Sequence, residues 1–343
     1  MKKKILVTGG TGYIGSHTAV ELIAEGFDVV IIDNLYNSEA EVADGIKMIS
    51  GVKPQLEVLD ICDRSKLDVF FEKHHDIAAV IHFAAYKAVG ESVRKPLEYY
   101  HNNLMSLINL LGAMKKFNIN GLVFSSSCTV YGQPEVLPVN ELTPWQPAQS
   151  PYGNTKQIGE EILMDTTRAD ENIKAIALRY FNPIGAHPSG LIGELPRGVP
   201  ENLVPYITQT AYGLRDELKV FGNDFNTPDG YCVRDYLHVV DLAKAHVVAV
   251  KRLLEGKTKS SYEVFNLGTG TGVSVLEAIQ SFERATGVKL KYKVTGRRPG
   301  DVEKIWADPS LANTELGWKT VSSLDESMLT AWNWEKNIRG KKS

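Results

Sequence analysis

The sequence predicts an α/β fold, a Rossmann-type doubly wound parallel sheet with a smaller mixed α/β C-terminal substrate domain. Three observations predict it. Apolar runs rich in β-branched residues alternate with segments of helical length through the first half, and a glycine-rich turn follows the first run. A stretch rich in proline and glycine then separates this half from a mixture of short strands and helices. Parallel strands buried between crossover helices produce the first pattern.

Six apolar runs predict strands that are buried on both faces of the sheet. They are residues 5–7, 28–32, 56–59, 79–83, 122–124 and 175–178. Residues 17–25 and 96–117 are long enough to be crossover helices between such strands. Gly26 stops the first of these helices, and Ser150 is an N-cap followed by Pro151 at the first position of another.

The length of 343 residues allows about two domains. Prolines and glycines crowd residues 181–205, and a structureless loop of about 25 residues in a compact protein is usually functional. Beyond it, residues 241–254 and 274–286 predict two more helices. We therefore predict one domain over residues 1–180 and a second, mainly over residues 181–343, that interleaves with the first.

Composition excludes several classes of protein. The chain is 43% hydrophobic and 23% charged, as globular proteins are, and its net charge of −3 lacks the basic excess of a nucleic-acid binder. Residues 77–85 form the longest apolar-looking stretch, which is too short to cross a membrane. Neither a nucleic acid nor a membrane is an expected partner.

Three scattered cysteines, Cys62, Cys128 and Cys232, form no CxxC pair, which argues against a disulfide framework and against a zinc site. The histidines show no HExxH spacing, so no metal is expected. No apolar segment of signal-peptide length follows Lys2-Lys3-Lys4. The sequence therefore predicts a cytoplasmic protein without a metal centre.

The turn after the first strand carries a dinucleotide-binding motif. Residues 8–15 satisfy both the G-x-G-x-x-G and the T-G-x-x-G-x-x-G spacing, through Gly9, Gly10, Gly12 and Gly15. These glycines let the backbone approach a pyrophosphate, and the N–H groups at the start of the next helix attract the anion. A glycine cluster can also be a simple turn, but the strand-turn-helix context favours dinucleotide binding.

Asp33 ends the second strand, 18 residues after Gly15, where a carboxylate can accept hydrogen bonds from the adenosine ribose. Its charge repels a 2′-phosphate, and residues 34–38 contain no arginine to accommodate one, so NAD is favoured over NADP. Asp60 and Ile61 follow the third strand, where the aspartate either meets the adenine edge or caps the next helix.

Tyr152 and Lys156 are one helical turn apart, and a serine run, Ser125 to Ser127, follows the fifth strand. A tyrosine acts as a base near neutrality when its pKa of about 10 falls by about 3 units, or roughly 4 kcal/mol. One cation at ~4 Å supplies about that much at an effective dielectric constant of ~20. Lys156 and the positive nicotinamide ring are the two candidate cations, and the Ser127 hydroxyl would hold the substrate oxygen.

These motifs together resemble the extended short-chain dehydrogenase/reductase family, which acts on nucleotide sugars. The resemblance is closer still to the UDP-glucose 4-epimerase family, and it runs from about residue 4 to about residue 334. The segments that carry it are residues 9–18, 81–84, 87–93, 95–100, 179–183, 185–190, 202–203, 233–236 and 297–298.

The resemblance implies that the first domain binds NAD and that Ser127, Tyr152 and Lys156 are catalytic. The implied cofactor-binding residues are Gly9, Gly12, Tyr13, Ile14, Gly15, Asp33, Asn34, Leu35, Tyr36, Asn37, Ser38, Asp60, Ile61, Phe83, Ala84, Ala85, Tyr86, Lys87, Asn102, Ser125, Tyr152, Lys156, Tyr180 and Phe181.

The second domain is implied to hold the UDP-sugar. The implied substrate-binding residues are Ser127, Tyr152, Asn182, Asn202, Val220, Phe221, Arg234, Arg298, Asp301 and Ile305. Arginines suit a diphosphate, and asparagines suit sugar or uracil edges. Taken singly, the arginines, the asparagines and Asp301 are also compatible with a loop cap or a surface charge.

The implied activity interconverts UDP-galactose and UDP-glucose, in galactose metabolism. C4 is oxidised to a transient 4-keto sugar, and the hydride is taken by and returned from tightly bound NAD. The family is commonly dimeric, so the resemblance also implies a homodimer through the helices that begin near Pro96 and Pro151.

Other activities share parts of this pattern. A 4,6-dehydratase needs an additional acid/base pair, whereas Cys128 and Thr129 follow Ser127 and no carboxylate occurs before Glu135. Epimerases of UDP-N-acetylglucosamine, UDP-pentoses or UDP-uronates share the core motifs, and a catalytically inactive NAD-sensing regulator is a further alternative. In the family, bulk at the position of Ile305 controls entry of N-acetylated sugars, and isoleucine is intermediate in bulk.

Overall fold

The computed structural model describes residues 2–298 and 302–340. Its strands, in chain order, are β1 (Lys4–Thr8), β2 (Asp28–Asp33), β3 (Gln55–Val58), β4 (Ile77–His82), β5 (Gly121–Ser127), β6 (Lys174–Tyr180), β7 (Asn182–Ile184), β8 (Leu218–Phe221), β9 (Val233–Arg234), β10 (Tyr236–His238), β11 (Tyr262–Leu267), β12 (Val273–Ser274) and β13 (Tyr292–Thr295).

The helices are α1 (Tyr13–Ala24), α2 (Val42–Ser50), α3 (Arg64–Lys73), α4 (Val89–Arg94), α5 (Pro96–Lys116), α6 (Pro151–Ala169), α7 (Leu203–Ala211), α8 (Val239–Leu254), α9 (Val275–Thr286) and α10 (Leu324–Gly340). The first begins earlier than residue 17 because the glycine turn leads directly into it. Ser150 caps α6 by accepting a hydrogen bond from the Gly153 amide at 3.1 Å, as predicted.

The central sheet confirms the predicted fold class. Seven parallel strands lie in the order β11, β6, β5, β4, β1, β2, β3, so the chain winds outwards in both directions from β1 and β4. One expectation is wrong: β3 is not buried on both faces. It is the edge strand, its residues are exposed or half-buried, and Val58 is 64% exposed.

Helices cover both faces of this sheet. Along β1, Ile5 and Val7 pack on the side of α1 and α8, whereas Leu6 packs on the side of α3 and α5. This alternation follows from the period of two along a strand. Two cores therefore hold the sheet, and the carboxyl ends of its strands share one edge.

The second half of the chain both completes this sheet and builds a smaller region. β11 pairs with β6, and α8 packs on the sheet face beside α1. Three small sheets join β7 with β10, β9 with β12 and β8 with β13, around a third hydrophobic core. The division near residue 180 stays a prediction.

Candidate active site

The glycine turn lies between β1 and α1. Gly9 has a φ of +68°, and a Cβ atom on Gly15 would stand 2.3 Å from the Gly9 carbonyl oxygen. Gly12 is the N-cap of α1, and no side chain caps that helix end. The first amides of α1 are therefore available to an anion, which is the fit that a dinucleotide pyrophosphate requires.

Asp33 is buried at the end of β2 and organises the segment after it. Its carboxylate accepts hydrogen bonds from the Thr11 and Leu35 amides and from the Ser38 hydroxyl, at 3.2, 2.9 and 3.0 Å. Leu35 has a φ of +57°, in the left-handed region that non-glycine residues seldom occupy. Asp33 thus holds a strained loop in addition to offering a carboxylate oxygen to a ligand.

The chain supplies an arginine to this loop from far away in sequence. Arg197, in the Pro/Gly-rich stretch, donates hydrogen bonds to the carbonyls of Tyr36 and Ser38 at 2.7 and 2.8 Å. Residues 34–38 contain no arginine of their own, but the fold brings Arg197 to this loop. The Arg197 guanidinium is bonded to backbone carbonyls, so it stabilises the loop.

Asp60 is exposed after β3, whereas Ile61 is buried in the core. The helix-cap interpretation of Asp60 is wrong, because Asp63 caps α3 by accepting from the Lys66 amide. The Asp60 carboxylate instead accepts from the Cys62 amide at 2.9 Å.

Residues 83–87 follow β4 and approach the Asp33 loop, because the rings of Tyr86 and Tyr36 lie 4.7 Å apart. Asn102, on α5, donates to the Asn103 side chain. Asn103 bonds both backbone groups of Tyr86 and donates to the Thr155 hydroxyl at 3.0 Å. Asn103 thereby ties this segment to α6.

The three predicted catalytic residues converge at the end of β5. Ser127 and Tyr152 are 7% and 8% exposed, and Lys156 is 4% exposed. Lys156 Nζ donates to the Ser125 carbonyl at 2.7 Å and lies 5.8 Å from the centroid of the Tyr152 ring. The phenol, the hydroxyl and the ammonium therefore lie on one buried wall at the carboxyl end of β5.

Burial dominates the pKa values of both Tyr152 and Lys156. Burial raises the pKa of Tyr152 well above its usual value, Tyr180 adds to this, and a hydrogen bond with Ser127 opposes it. Burial also lowers the pKa of Lys156 to about 8. The pKa of the phenol therefore lies above its usual value in this structure, because the effect of its removal from water outweighs the effect of Ser127.

Tyr180 ends β6 beside this wall, and Phe181 follows it. The hydroxyls of Tyr180 and Ser125 are hydrogen-bonded to each other, and the Phe181 side chain is buried. Thr129 is a residue that the sequence did not indicate: its buried hydroxyl has no hydrogen-bond partner among the described residues.

The predicted substrate residues form two groups. Asn182, on β7, pairs with Tyr236, on β10. The backbone N–H of Asn182 donates to the carbonyl of Asp235, which follows Arg234. Arg234 also acts on Cys128, since its charge opposes the burial that raises the pKa of that thiol to about 12. This group therefore lies close to Ser127.

The other substrate residues are more dispersed. The Arg298 guanidinium lies 5.5 Å from the centroid of the Phe221 ring. Val220, which precedes Phe221 in β8, is buried. Asn202 donates to Glu194 at 2.8 Å. Ile305 is 4% exposed and packs in the hydrophobic core, while Asp301 lies outside the described residues.

Comparison with known proteins places this architecture in a family. Residues 6–330 match a family model described as GDP-mannose 4,6 dehydratase. The chain is 50% identical over 340 residues to the UDP-glucose 4-epimerase of Bacillus subtilis (strain 168), covering 99% of each chain. It is 49% identical to the Homo sapiens UDP-glucose 4-epimerase, covering 98% of this chain and 97% of the relative. The chain belongs to the UDP-glucose 4-epimerase family, within the wider family that this model describes.

Solved structures of this epimerase family agree with the fold throughout. The Stenotrophomonas maltophila enzyme, with bound NAD and formylated UDP-arabinopyranose, superposes with a TM-score of 0.95 at 47% identity and 99% coverage of both chains. The Bifidobacterium longum enzyme, in complex with NAD+ and UDP, gives 0.94 at 46% identity, with 98% and 99% coverage. The predicted resemblance is confirmed.

Other functional candidates became visible only in this epimerase-family fold. Glu194 accepts hydrogen bonds from both Lys87 and Asn202, which were predicted on the cofactor and substrate sides. Asp235 is fully buried and accepts from Thr269, Gly270 and Ala307. A carboxylate with partners distant in sequence gives no local motif, so sequence reasoning missed both.

The sequence predicts neither a membrane partner nor a metal centre. Within residues 2–298 and 302–340, no helix has the length and apolarity needed to cross a bilayer. The same ranges hold no group of three histidine, cysteine, aspartate or glutamate side chains suited to a metal ion.

Proposed function

We propose that the protein interconverts UDP-galactose and UDP-glucose by inverting the configuration at C4 through a transient 4-keto sugar. The observation that carries this proposal is the convergence of Ser127, Tyr152 and Lys156 on one buried wall in a member of the UDP-glucose 4-epimerase family. The buried wall excludes water, which protects a reactive ketone.

Tyr152 is the residue that takes the proton from the 4-hydroxyl and later returns it. The Ser127 hydroxyl acts on the phenol by lowering its pKa, and we assign to it the role of directing the sugar oxygen towards Tyr152. Lys156, held by the Ser125 carbonyl, would stabilise the phenolate form of Tyr152 that accepts this proton, together with the positive charge of the oxidised nicotinamide when NAD is bound. A proton passed between Tyr152 and the sugar oxygen in both directions leaves the enzyme unchanged after a turnover.

NAD is the cofactor that fits this site. When bound, it supplies reversible two-electron oxidation at C4. The uncapped start of α1 would hold its pyrophosphate, and the carboxylate of Asp33 would accept from its adenosine ribose. Tyr36, Tyr86 and Lys87 would enclose it, and Arg197 supports the loop that carries Tyr36 from the other half of the chain.

For the UDP-sugar, we assign Arg234 and Arg298 to the diphosphate and Asn182 and Asn202 to sugar or uracil edges. Phe221 offers a ring beside Arg298. The sugar range rests on Ile305, whose side chain is buried. If Ile305 admits N-acetylated sugars, Ile305→Tyr will remove that activity selectively; equal loss with both sugars contradicts the gate.

The activity is tested by incubating purified protein with UDP-galactose, without added NAD, and measuring UDP-glucose. Tyr152→Phe should lower turnover by a factor of about 100 or more, because the proton acceptor is lost. Tyr212→Phe, a partly exposed tyrosine, is the matched control. No conversion by the wild type, or full activity in Tyr152→Phe, overturns the proposal.

Heat release measures bound cofactor separately. About one NAD per chain is expected in the supernatant of denatured protein, and its absence contradicts the tightly bound cofactor.

We also propose that the protein is a cytoplasmic homodimer. Its three cysteines are free thiols, in keeping with a reducing compartment. Leu97, Met105 and Ile108 are exposed on α5, which packs against α6, and a second copy is the occupant that fits this apolar face. Light scattering should show a dimer that Ile108→Glu dissociates; a monomeric wild type contradicts it.

A further inference from the structure

A buried ion pair lies one helical turn beyond Lys156. Glu160, on α6, is 0% exposed, and Arg179, on β6, is 4% exposed. Arg179 Nη2 lies 2.7 Å from Glu160 Oε2, and Arg179 Nε donates to Oε1 at 2.9 Å. This two-pronged geometry fixes the carboxylate relative to β6.

The Glu160 carboxylate also contacts two further strands. The hydroxyl of Ser126, on β5, donates to it, and the Tyr262 hydroxyl, on β11, donates at 2.7 Å. Ser126 immediately precedes Ser127. The carboxylate therefore connects the helix that carries Tyr152 and Lys156 with the strand end that carries Ser127.

Arg179 extends this network beneath the catalytic serine. Its Nη1 donates to the Tyr131 hydroxyl at 2.9 Å, and Tyr131 donates to Asn266 at 2.6 Å. Tyr131 ends the 3₁₀ helix Cys128–Tyr131, which Ser127 caps. The ion pair thus contacts every segment that carries a predicted catalytic residue.

Among the described residues, Glu160 is the carboxylate whose charge acts on Lys156. Lys156 faces the Phe124 ring and the Ser125 carbonyl on β5, His82 on β4, and Tyr152 and Glu160 on its own helix. His82 is neutral, because burial and the charge of Lys156 lower its pKa to about 3. Glu160 therefore supplies the negative charge that opposes the effect of burial on Lys156.

Stability alone does not explain such a pair. Replacing a buried ion pair by apolar residues of similar volume is often neutral or stabilising, because both charges must leave water. Glu160 is bonded to residues on three strands. Unlike apolar residues, it therefore fixes the position of α6 relative to the sheet and also places a negative charge near Lys156.

We propose that Glu160, through Arg179, is a positioning residue that holds Lys156 in register with Ser127 and keeps its ammonium charged beside Tyr152. The proposal rests on the proposed function, but its first test does not depend on activity.

The first test is a double-mutant cycle on the free energy of unfolding, with Glu160→Gln made in the wild type and in Lys156→Met. If Glu160 supports the charge of Lys156, Glu160→Gln will cost less stability in the Lys156→Met background. Equal costs in both backgrounds overturn the proposal, whatever the enzyme's activity. Where Glu160→Gln does not fold, Glu160→Leu with Arg179→Met replaces it in the same cycle.

The second test is the pH dependence of UDP-galactose turnover. Glu160→Gln should lower kcat about 10-fold, leave KM within about 2-fold, and move the alkaline limb of the profile down by about 1 pH unit. Glu263→Gln is the matched control, because it breaks a buried pair with Arg252 at 2.7 Å elsewhere. An unshifted limb in Glu160→Gln, or the same shift in Glu263→Gln, overturns the proposal.

Discussion

Arg197 reaches across the molecule to Tyr36: its guanidinium donates to the Tyr36 carbonyl at 2.7 Å. The two residues are 161 positions apart. Arg197 donates a second bond, to the Ser38 carbonyl. Leu35, with its left-handed backbone, is therefore held by Asp33 on one side and by the Arg197 contacts on the other. The Pro/Gly-rich stretch therefore reinforces the loop that we assign to the adenosine of NAD.

Arg197→Ala should make NAD dissociate faster, because two bonds that hold the loop closed are lost. We expect an increase of about 10-fold in the release rate, which corresponds to about 1.4 kcal/mol. Release is followed by trapping free NAD with a coupled dehydrogenase. Arg168→Ala, a surface arginine paired with Asp165, is the control. An unchanged release rate in Arg197→Ala would contradict the loop's role.

Gly15→Ala should disrupt the cofactor turn. The new Cβ atom would stand 2.3 Å from the Gly9 carbonyl oxygen, so the turn must move, at a cost of about 2 kcal/mol. NAD content and urea unfolding measure the two effects. Gly340→Ala, where the added Cβ atom would meet no atom of another described segment within 4 Å, should change stability by less than about 0.5 kcal/mol. Normal NAD content in Gly15→Ala would argue against the pyrophosphate assignment.

Lys156→Met should abolish turnover and yet stabilise the fold at pH 7. Burial lowers the pKa of Lys156 from 10.5 to about 8, so between these values the unfolded chain binds more protons than the folded one. Wild-type stability therefore rises with pH through this window, and the deficit is complete below it. We expect Lys156→Met to be more stable by about 1 to 3 kcal/mol at pH 7.

The comparison of urea unfolding between pH 7 and pH 10 checks this prediction. The advantage of Lys156→Met should shrink as pH rises from 8 towards 10.5. A variant that is less stable than wild type at pH 7 would show that the bond to the Ser125 carbonyl outweighs the cost of burial.

His246 should make the protein sensitive to acid. Burial lowers its pKa from 6.5 to about 4, and its Nε2 has no partner among the described residues. Between these pH values the unfolded chain holds the extra proton, so stability falls as pH falls. His246→Leu should match wild type within about 1 kcal/mol at pH 7 and exceed it by about 2 kcal/mol at pH 5.

Thermal or urea unfolding across pH 4.5 to 7 measures this difference, with the exposed His75→Gln as the control. Parallel pH curves for wild type and His246→Leu would show that His246 does not contribute to the acid sensitivity.

Local patterns in the sequence were sufficient for much of this protein. The glycine spacing lies within one turn, Asp33 is the last residue of β2, and the Tyr152/Lys156 pair lies within one helix. Short-range geometry therefore determines each of these motifs. Because the carboxyl ends of parallel strands share an edge, these motifs had to meet once the strands were recognised. The family and the fold class followed from them, and the comparisons confirm both.

Tertiary structure decided what depends on partners distant in sequence. It brought Arg197 to Tyr36, made β3 an exposed edge, and placed Glu160 on Arg179 beneath Lys156. It also set the direction of the Tyr152 pKa, which burial raises. Burial and long-range pairing are properties of the folded packing, and no spacing of residues along one segment specifies them.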